Sequence, residues 1–237
     1  MSGSEPGGRE WGDPVEAGWL LRRDDGGCVV HAAAVACVDR TVILLKAPRA
    51  GQVKTRLAAA IGPTAATAAY RQLVTIICQN LRDWPDVELR HAPDDAAAEL
   101  RQWLASGWTL APQGEGDLGE RMRWAFAEHF AAGAQRVVMI GADCPWIQPA
   151  DLTTAFAALQ HSDLVLGPAT DGGYWLIGLK AVQSELFRGM LWSTSSVLAE
   201  TEARANRMGL AVVRLRTLSD VDTAEDWQSW SQRERPG

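Results

Sequence analysis

The stretch T-V-I-L-L-K over residues 41–46, followed by A-P-R-A-G-Q-V-K-T-R-L over residues 47–57, decides the predicted fold. Its first six residues are mostly branched and apolar, which is typical of a strand buried on both faces of a sheet. A loop with proline and glycine follows, and a helical pattern begins near Lys54 and is interrupted at Gly62-Pro63. A strand, a glycine-containing loop and a helix in this order indicate an α/β domain.

Strands and helices continue to alternate along the chain, which predicts an α/β fold with a mostly parallel central sheet. The clearest buried strand is 136–141, and a hairpin is expected at Asp171-Gly172-Gly173. We predict one domain over residues 40–232, preceded by a partly flexible extension over residues 1–39. The other predicted strands are 87–91, 108–111, 164–168, 174–179 and 210–215, and the predicted helices are 65–81, 96–106, 118–132, 149–160, 183–187, 195–207 and 224–231.

Composition and charge exclude several classes of protein. The 237 residues are 47% hydrophobic and 22% charged, and no apolar run approaches the roughly 18 residues of a membrane span. The net charge of −6 argues against nucleic acid as a partner, because such binding needs a basic surface. The four cysteines form no C-x-x-C pair, and residues 1–10 lack the pattern of a secretory signal, so we expect a cytoplasmic protein with reduced thiols.

The segment from Lys46 to Arg56 carries four basic residues and no acidic one, the other two being Arg49 and Lys54. A loop between a strand and a helix, here containing Gly51, can bind phosphate through backbone N–H groups. A cation at a helix N-terminus is unfavourable unless an anion offsets it, so the pattern favours an anionic ligand. The loop matches neither the Walker A nor the G-x-G-x-x-G pattern. The alternative is a surface loop whose basic side chains are solvated.

Carboxylates follow the most apolar predicted strand and recur near the end of the chain. Asp143 stands just beyond that strand, where open α/β sheets bind ligands, and a carboxylate there suits Mg²⁺ or Mn²⁺. Asp220 and Asp222 share a face if the segment is extended, so either could complete a metal site with Asp143. As alternatives, Asp143 is a turn residue before a proline, and Asp222 is the N-cap of a helix with Glu225 in its first turn.

Two further loops carry polar residues that suit a nucleotide or its partner. In the loop 113–121, Gln113 and Asp117 could read a base or a ribose, and Arg121 could pair with a phosphate. Arg121 is equally suited to the polar face of an amphipathic helix. The stretch 167–174 contains D-G-G, which by itself is a strong turn signal and needs no catalytic role.

Six stretches, taken in order, carry a resemblance to a known family: K-A-P-R-A-G-Q-V-K-T-R-L (46–57), G-D-L-G-E-R-M (116–122), I-G-A-D-C-P (140–145), G-P-A-T-D-G-G-Y (167–174), L-W-S-T-S-S-V-L (191–198) and D-V-D-T (220–223). They resemble bacterial glycosyltransferase-like proteins associated with arsenosugar biosynthesis, of the GT-A nucleotide-diphospho-sugar transferase superfamily. The resemblance covers about residues 40–230 and extends to molybdenum-cofactor and phospholactate nucleotidyltransferases. It implies a three-layer α/β/α fold of the Rossmann-like type.

The resemblance also implies roles for individual residues, of which Asp143, Lys54 and Asp171 would be catalytic. Lys54 and Arg56 would hold donor phosphates with help from Lys46 or Arg49; Asp117 and Arg121 would border the nucleotide; Asp143 and Asp222 would hold Mg²⁺ or Mn²⁺; and Asp171 would face the transferred group or the acceptor.

The implied activity is that of a metal-dependent transferase that takes a nucleotide-activated donor and a small-molecule acceptor. Many glycosyltransferases of this fold carry D-x-D, whereas Asp143 is followed by Cys144-Pro145, which is more similar to the nucleotidyltransferases. Two reactions stay open: glycosyl transfer from a nucleotide sugar, which we rank first, and nucleotidyl transfer from an NTP with release of pyrophosphate. A third interpretation is a non-catalytic nucleotide-binding module, and the sequence leaves a homodimer open.

Overall fold

The computed structural model describes residues 38–233, which contain one seven-stranded sheet. The strands are β1 (Asp39–Lys46), β2 (Val87–Ala92), β3 (Thr109–Pro112), β4 (Arg136–Gly141), β5 (Leu164–Pro168), β6 (Tyr174–Leu179) and β7 (Val212–Arg214). They lie in the order β3-β2-β1-β4-β6-β5-β7, and only β6 runs antiparallel to its neighbours. The prediction of an α/β fold with a mostly parallel sheet is confirmed.

Helices cover both faces of the sheet. They are α1 (Thr55–Ile61), α2 (Pro63–Asn80), α3 (Ala97–Leu100), α4 (Leu118–Ala131), α5 (Pro149–Ala158), α6 (Val197–Arg207) and α7 (Ala224–Arg233). Successive side chains of a strand point to opposite faces. Accordingly, Val138 and Ile140 of β4 pack in one apolar layer with α2 and α5, whereas Val137 and Met139 pack in the other layer with α4 and α6. This is the expected three-layer α/β/α architecture.

Two predicted helices are shorter and less regular than expected. Over residues 96–106 the structure has only the single turn α3 between two 3₁₀ turns. Trp103 is buried there, and its indole N–H donates to the hydroxyl of Thr75 at 2.9 Å, so tertiary packing outweighs the helix preference of the alanines. Residues 183–187 form only a 3₁₀ turn over Ser184–Leu186.

The strand directions bring several loops to one edge of the sheet. Because β1, β2 and β4 are parallel, their carboxyl ends meet at this edge. The antiparallel strand β6 brings its amino end to the same edge, so the predicted hairpin between β5 and β6, which the structure confirms, lies there too. The loop after β1, the loop after β4 and the D-G-G turn are therefore neighbours in space.

Three further expectations concern the extension before the domain, a membrane span and the state of the cysteines. The predicted extension over residues 1–39 lies outside the described residues, except for its last two. None of the helices within residues 38–233 is long and apolar enough to cross a membrane. Cys78 and Cys144, the two cysteines in this part of the chain, are free and buried.

Candidate active site

A cavity of about 500 Å³ opens at the carboxyl edge of the sheet. Its walls come from the end of β1, the start of α1, the segment after β4, the turn between β5 and β6, and the segment before α7. Lys54 and Asp222, which are 168 positions apart, therefore meet in it. The predicted site residues that line the cavity are Lys46, Lys54, Arg56, Gln113, Asp143, Asp171 and Asp222.

Lys54 is held between two carboxylates. Its Nζ lies 2.6 Å from Oδ1 of Asp143 and 2.6 Å from Oδ1 of Asp222, and only 3% of its side chain is exposed. Burial alone would lower the pKa of Lys54, but the charges of Asp143 and Asp222 outweigh burial and raise it. The ammonium is therefore charged at neutral pH, and it offsets the repulsion between the two carboxylates.

The backbone at Lys54 adopts the left-handed conformation, with φ 49° and ψ 47°. This conformation is costly for a residue other than glycine, so surrounding packing must maintain it. The neighbouring apolar residues Val53 and Leu57 are both buried and anchor the chain on either side. Strained backbone occurs often at ligand sites, and here it accompanies a buried cation at the wall of a cavity.

Asp222 does not cap the last helix. The hydroxyl of Thr223 accepts the N–H of Asp226 at 3.2 Å, and Oδ2 of Asp226 accepts the N–H of Thr223 at 2.9 Å. Thr223 and Asp226 therefore form the reciprocal cap of α7. The interpretation of Asp222 as an N-cap with Glu225 is wrong, and the carboxylate of Asp222 faces the cavity instead.

Asp220 lines the same cavity, and the sequence could not distinguish it from Asp222 as a partner of Asp143. Burial, followed by the charges of Asp143 and Asp222, raises the pKa of Asp220 to about 7. The charge of Asp171 also raises the pKa of Asp220, whereas the charge of Lys54 lowers it. Several carboxylates near one ammonium leave an excess of negative charge, which a divalent cation is suited to neutralise.

Asp171 occupies the turn between β5 and β6. Its Oδ1 accepts the N–H of Gly173 at 2.9 Å, which fixes the side chain at the cavity wall. Gly172 has φ +90°, and a Cβ placed on it would lie 2.1 Å from the carbonyl oxygen of Ser195. The carbonyl of Gly172 also accepts the N–H of Leu198 at 2.9 Å. The D-G-G turn is therefore required by close packing against the start of α6, and it holds Asp171 in the cavity.

Sequence reasoning missed Tyr70, which lines the cavity from α2. The Tyr70 hydroxyl accepts the N–H of Lys46 at 2.8 Å and donates to the carbonyl oxygen of Lys46 at 3.1 Å. Burial, together with the charge of Asp143, raises the pKa of Tyr70, so the phenol stays protonated. Tyr70 thus fixes the end of β1, and no sequence motif indicated it.

Arg49 and Gly51, which were predicted to bind phosphate, do not line the cavity. The guanidinium of Arg49 pairs with Glu99 at 2.6 Å and with Asp95 at 3.0 Å. Gly51 has φ +79° and allows the turn that joins β1 to α1. The structure therefore assigns Arg49 an ion pair with the segment around α3 and Gly51 a conformational role.

The loop 113–121 places one of its three candidate residues in the cavity. Gln113 is buried, and its Nε2 donates to backbone carbonyls of β1 and β2 at 2.9 Å each, so this amide ties two strands together. Asp117 forms a reciprocal cap of α4 with Glu120. Arg121 donates to the carbonyl of Gly116 at 3.0 Å. Neither Asp117 nor Arg121 lines the cavity, whereas Gln113 does.

The carboxylates fit a hard divalent cation that brings further ligands with it. The side chains of Asp143 and Asp222 are 48% and 36% exposed, so their oxygens can be reached from solvent. No three His, Cys, Asp or Glu side chains within residues 38–233 are grouped as a complete metal site. Mg²⁺ usually takes one or two protein carboxylates together with water and phosphate oxygens. Asp143 and Asp222 are suited to be these one or two protein carboxylates.

The sheet order and the cavity at its carboxyl edge define the chain as an α/β protein of the GT-A-like class. Residues 75–194 match the model of a family described as an uncharacterized protein conserved in bacteria (DUF2064), and the chain belongs to this family. No curated protein matches it.

Three solved structures illustrate the likeness. A proposed nucleotide-diphospho-sugar transferase from Desulfovibrio desulfuricans is 33% identical, with a TM-score of 0.77 over 84% of this chain and 88% of that one. CMP:2-keto-3-deoxy-manno-octonic acid synthetase in complex with CTP is 11% identical, with a TM-score of 0.51 over 83% and 99%. Glucosyl-3-phosphoglycerate synthase from Mycobacterium tuberculosis, in complex with Mn²⁺, UDP and glucosyl-3-phosphoglycerate, is 11% identical, with a TM-score of 0.51 over 84% and 77%. The last two show the shared fold alone.

Proposed function

We propose that this protein is a divalent-metal-dependent transferase that uses a nucleotide-activated donor, and that its reaction is glycosyl transfer from a nucleotide sugar to a small-molecule acceptor. One observation carries the proposal: a buried lysine lies 2.6 Å from each of two carboxylates in a single cavity at the carboxyl edge of an α/β sheet. Open sheets of this kind bind ligands at that edge. The similarity to the Desulfovibrio desulfuricans protein supports a nucleotide-diphospho-sugar donor.

In this proposal the cations of the cavity bind the donor diphosphate. Lys54 and Arg56 line the wall and supply fixed positive charge where the leaving group becomes negative. Asp143 and Asp222 would hold Mg²⁺ or Mn²⁺, which would neutralise charge on the diphosphate. In this structure the ammonium of Lys54 contacts both carboxylates. When the donor and the metal bind, the ammonium would leave the carboxylates and contact the phosphates instead.

Asp171 is proposed to act on the acceptor. Its Oδ1 is engaged by the N–H of Gly173, and Oδ2 is the oxygen proposed to accept a proton. In the transfer, the acceptor oxygen forms a bond to the anomeric carbon of the sugar while the bond from that carbon to the diphosphate breaks. The acceptor proton passes to Asp171, and the electron pair of the broken bond leaves with the nucleoside diphosphate.

Nucleotidyl transfer is the second candidate, and the basic segment around Lys54 and Arg56 favours it because such a segment suits a triphosphate. In that reaction the acceptor attacks the α-phosphorus and pyrophosphate leaves. The resemblance of the motifs to arsenosugar-associated glycosyltransferases favours the first candidate, glycosyl transfer.

We further propose that the chain works in the cytoplasm with one catalytic domain over residues 40–232.

A thermal-shift panel tests the proposed function. Nucleoside triphosphates and nucleotide sugars are each added with and without Mg²⁺ or Mn²⁺, because a ligand that binds only the folded form raises the Tm. The proposal predicts a shift that requires the metal and disappears in Asp143→Asn. The matched control is Asp83→Asn, which changes an exposed acid outside the cavity lining and should leave the shift intact. A shift that needs no metal and survives Asp143→Asn would contradict the proposal, and preference for a triphosphate would select nucleotidyl transfer.

A further inference from the structure

Part of the cavity wall is apolar, and we call this part the apolar wall. It consists of Leu44, Met122, Met139 and Ile177, which come from β1, α4, β4 and β6. All four belong to the same apolar layer of the sheet. Leu44 lies in β1, which pairs with a strand on each side, and yet Leu44 is only partly buried. The cavity therefore reaches down to the sheet on this side.

A glycine in β4 creates the space above Leu44. The register places Gly141 directly beside Leu44, and Gly141 faces the same layer as Met139, two residues earlier. A Cβ built on Gly141 would meet no atom within 4 Å. A glycine in a strand often marks a place where a ligand comes close. Here the missing side chain leaves an apolar space at the end of a central strand.

The chemistry of the apolar wall selects a nonpolar ligand group. A buried polar group is costly unless it finds a hydrogen-bond partner, and the four side chains of the wall offer none. A nucleobase presents several donors and acceptors on its edges and is poorly suited to this surface. Asp171, Ser193 and Thr194 line other parts of the same cavity and are polar. A ligand with a hydroxyl group and a nonpolar remainder satisfies both surfaces.

We propose that the apolar wall binds the nonpolar part of the acceptor, so that the acceptor is an alcohol with an aliphatic or aromatic remainder and its hydroxyl faces Asp171. This inference rests on the proposed function, which places the donor diphosphate against Lys54. Leu118 adds to the apolar lining, and 41% of it is exposed to solvent. The nonpolar remainder of the acceptor covers this exposed leucine when it binds.

A series of n-alkanols from ethanol to hexanol tests the proposal on the full chain by saturation-transfer NMR titration. Each buried methylene strengthens binding by up to about fourfold. We therefore expect affinity to rise by up to about fourfold per carbon until the wall is covered. The same affinity for ethanol and hexanol would overturn the proposal.

Three variants place the binding in the cavity. Gly141→Val fills the space with a side chain that suits a strand, and it should abolish the dependence on chain length. Leu118→Gln should weaken hexanol binding at least about threefold. Its matched control is Leu191→Gln, the same change at a leucine that is 77% exposed and outside the cavity lining, and it should leave binding unchanged. Equal losses in the two glutamine variants would overturn the proposal.

A competition experiment separates this inference from the proposed function. UDP and GDP with Mg²⁺ are added to the hexanol complex, and the Tm is recorded alongside. A nucleotide that raises the Tm without displacing hexanol supports both proposals. A nucleotide that raises the Tm and displaces hexanol would show that the wall holds the base, and only this inference fails. If no nucleotide of the full thermal-shift panel binds, the proposed function fails and this inference with it.

Discussion

Lys54 and Asp222 stand 168 positions apart in the sequence, and a hydrogen bond of 2.6 Å joins Nζ of the lysine to Oδ1 of the aspartate. The same Nζ lies 2.6 Å from Oδ1 of Asp143. The loop after β1 and the segment before α7 therefore meet at Asp143, which follows β4. In the proposed function, a divalent cation and the ammonium of Lys54 compete for the same two carboxylates.

The variant Lys54→Met tests this competition. Methionine keeps much of the volume of lysine but removes the charge, so the two carboxylates repel each other and attract cations more strongly. We expect the free energy of unfolding without metal to fall by about 1–2 kcal/mol, because both carboxylates are partly exposed. Mg²⁺ should bind about tenfold more tightly than to the unmodified chain, as measured by isothermal titration calorimetry.

The matched control for Lys54→Met is Lys180→Met. Lys180 pairs with Asp163 at 3.0 Å in a partly exposed ion pair outside the cavity lining. Such pairs contribute little, so its loss should change stability by less than about 1 kcal/mol. Mg²⁺ affinity should not change. An increase in Mg²⁺ affinity in both variants, or in neither, would show that Lys54 does not occupy a cation position.

Gly172→Ala should be strongly destabilising. A Cβ at this position would lie 2.1 Å from the carbonyl oxygen of Ser195, and φ is +90°. The matched control is Gly133→Ala, where φ is +92° and a Cβ would meet no atom within 4 Å. Backbone strain alone should cost about 1–2 kcal/mol in the control. The steric clash in Gly172→Ala should add at least about 1 kcal/mol in urea unfolding, and equal losses would contradict the close packing of this turn.

Thr223→Ala should destabilise the start of α7. The hydroxyl of Thr223 accepts the N–H of Asp226 and donates to the carboxylate of Asp226 at 2.8 Å. Loss of a cap of this kind costs about 1 kcal/mol in the free energy of unfolding, measured by urea denaturation. Thr153→Ala is the matched control, because Thr153 is exposed and lies within α5. It should change stability by less than about 0.5 kcal/mol, and an equal effect would argue that Thr223 is not the cap.

Stability at acid pH should depend on Glu88. Burial alone would raise the pKa of Glu88, but hydrogen bonds from His129 and Arg90 outweigh burial and lower it below the ordinary value of 4.5. A lowered pKa stabilises the fold above the unfolded value, and this contribution is lost as pH falls through the folded value. Glu88→Gln should therefore flatten the decrease in Tm below pH 4.5. Glu115→Gln, at an exposed acid, is the control and should keep the decrease.

The sequence predicted the sheet well because its strands are buried and apolar. The bounds of β4, β5 and β6 were predicted to the residue. The helix predicted over residues 96–106 is confirmed only as α3 with a 3₁₀ turn after it, since the burial of Trp103 is a tertiary effect that local helix preference does not contain. The break at Gly62-Pro63 was predicted because glycine and proline act locally.

The candidate site was predictable where charge and strand ends coincide. Lys54 and Asp143 could be named because one follows the first strand and the other follows the most apolar strand. Arg49 could not be excluded from the cavity, because its partners Asp95 and Glu99 come from a distant segment. The space above Gly141 could not be foreseen, since it depends on which side chains surround a glycine in three dimensions.

In the proposed function, Asp143 and Asp222 hold a divalent cation beside a bound nucleotide. Electron paramagnetic resonance of free Mn²⁺ tests it directly, because the signal of free Mn²⁺ decreases as the ion binds. We expect the unmodified chain with a nucleotide of the thermal-shift panel to remove more free Mn²⁺ than the same nucleotide removes alone, and the double variant Asp143→Asn, Asp222→Asn to remove no more than the nucleotide alone. Equal loss of the Mn²⁺ signal with both proteins would contradict it.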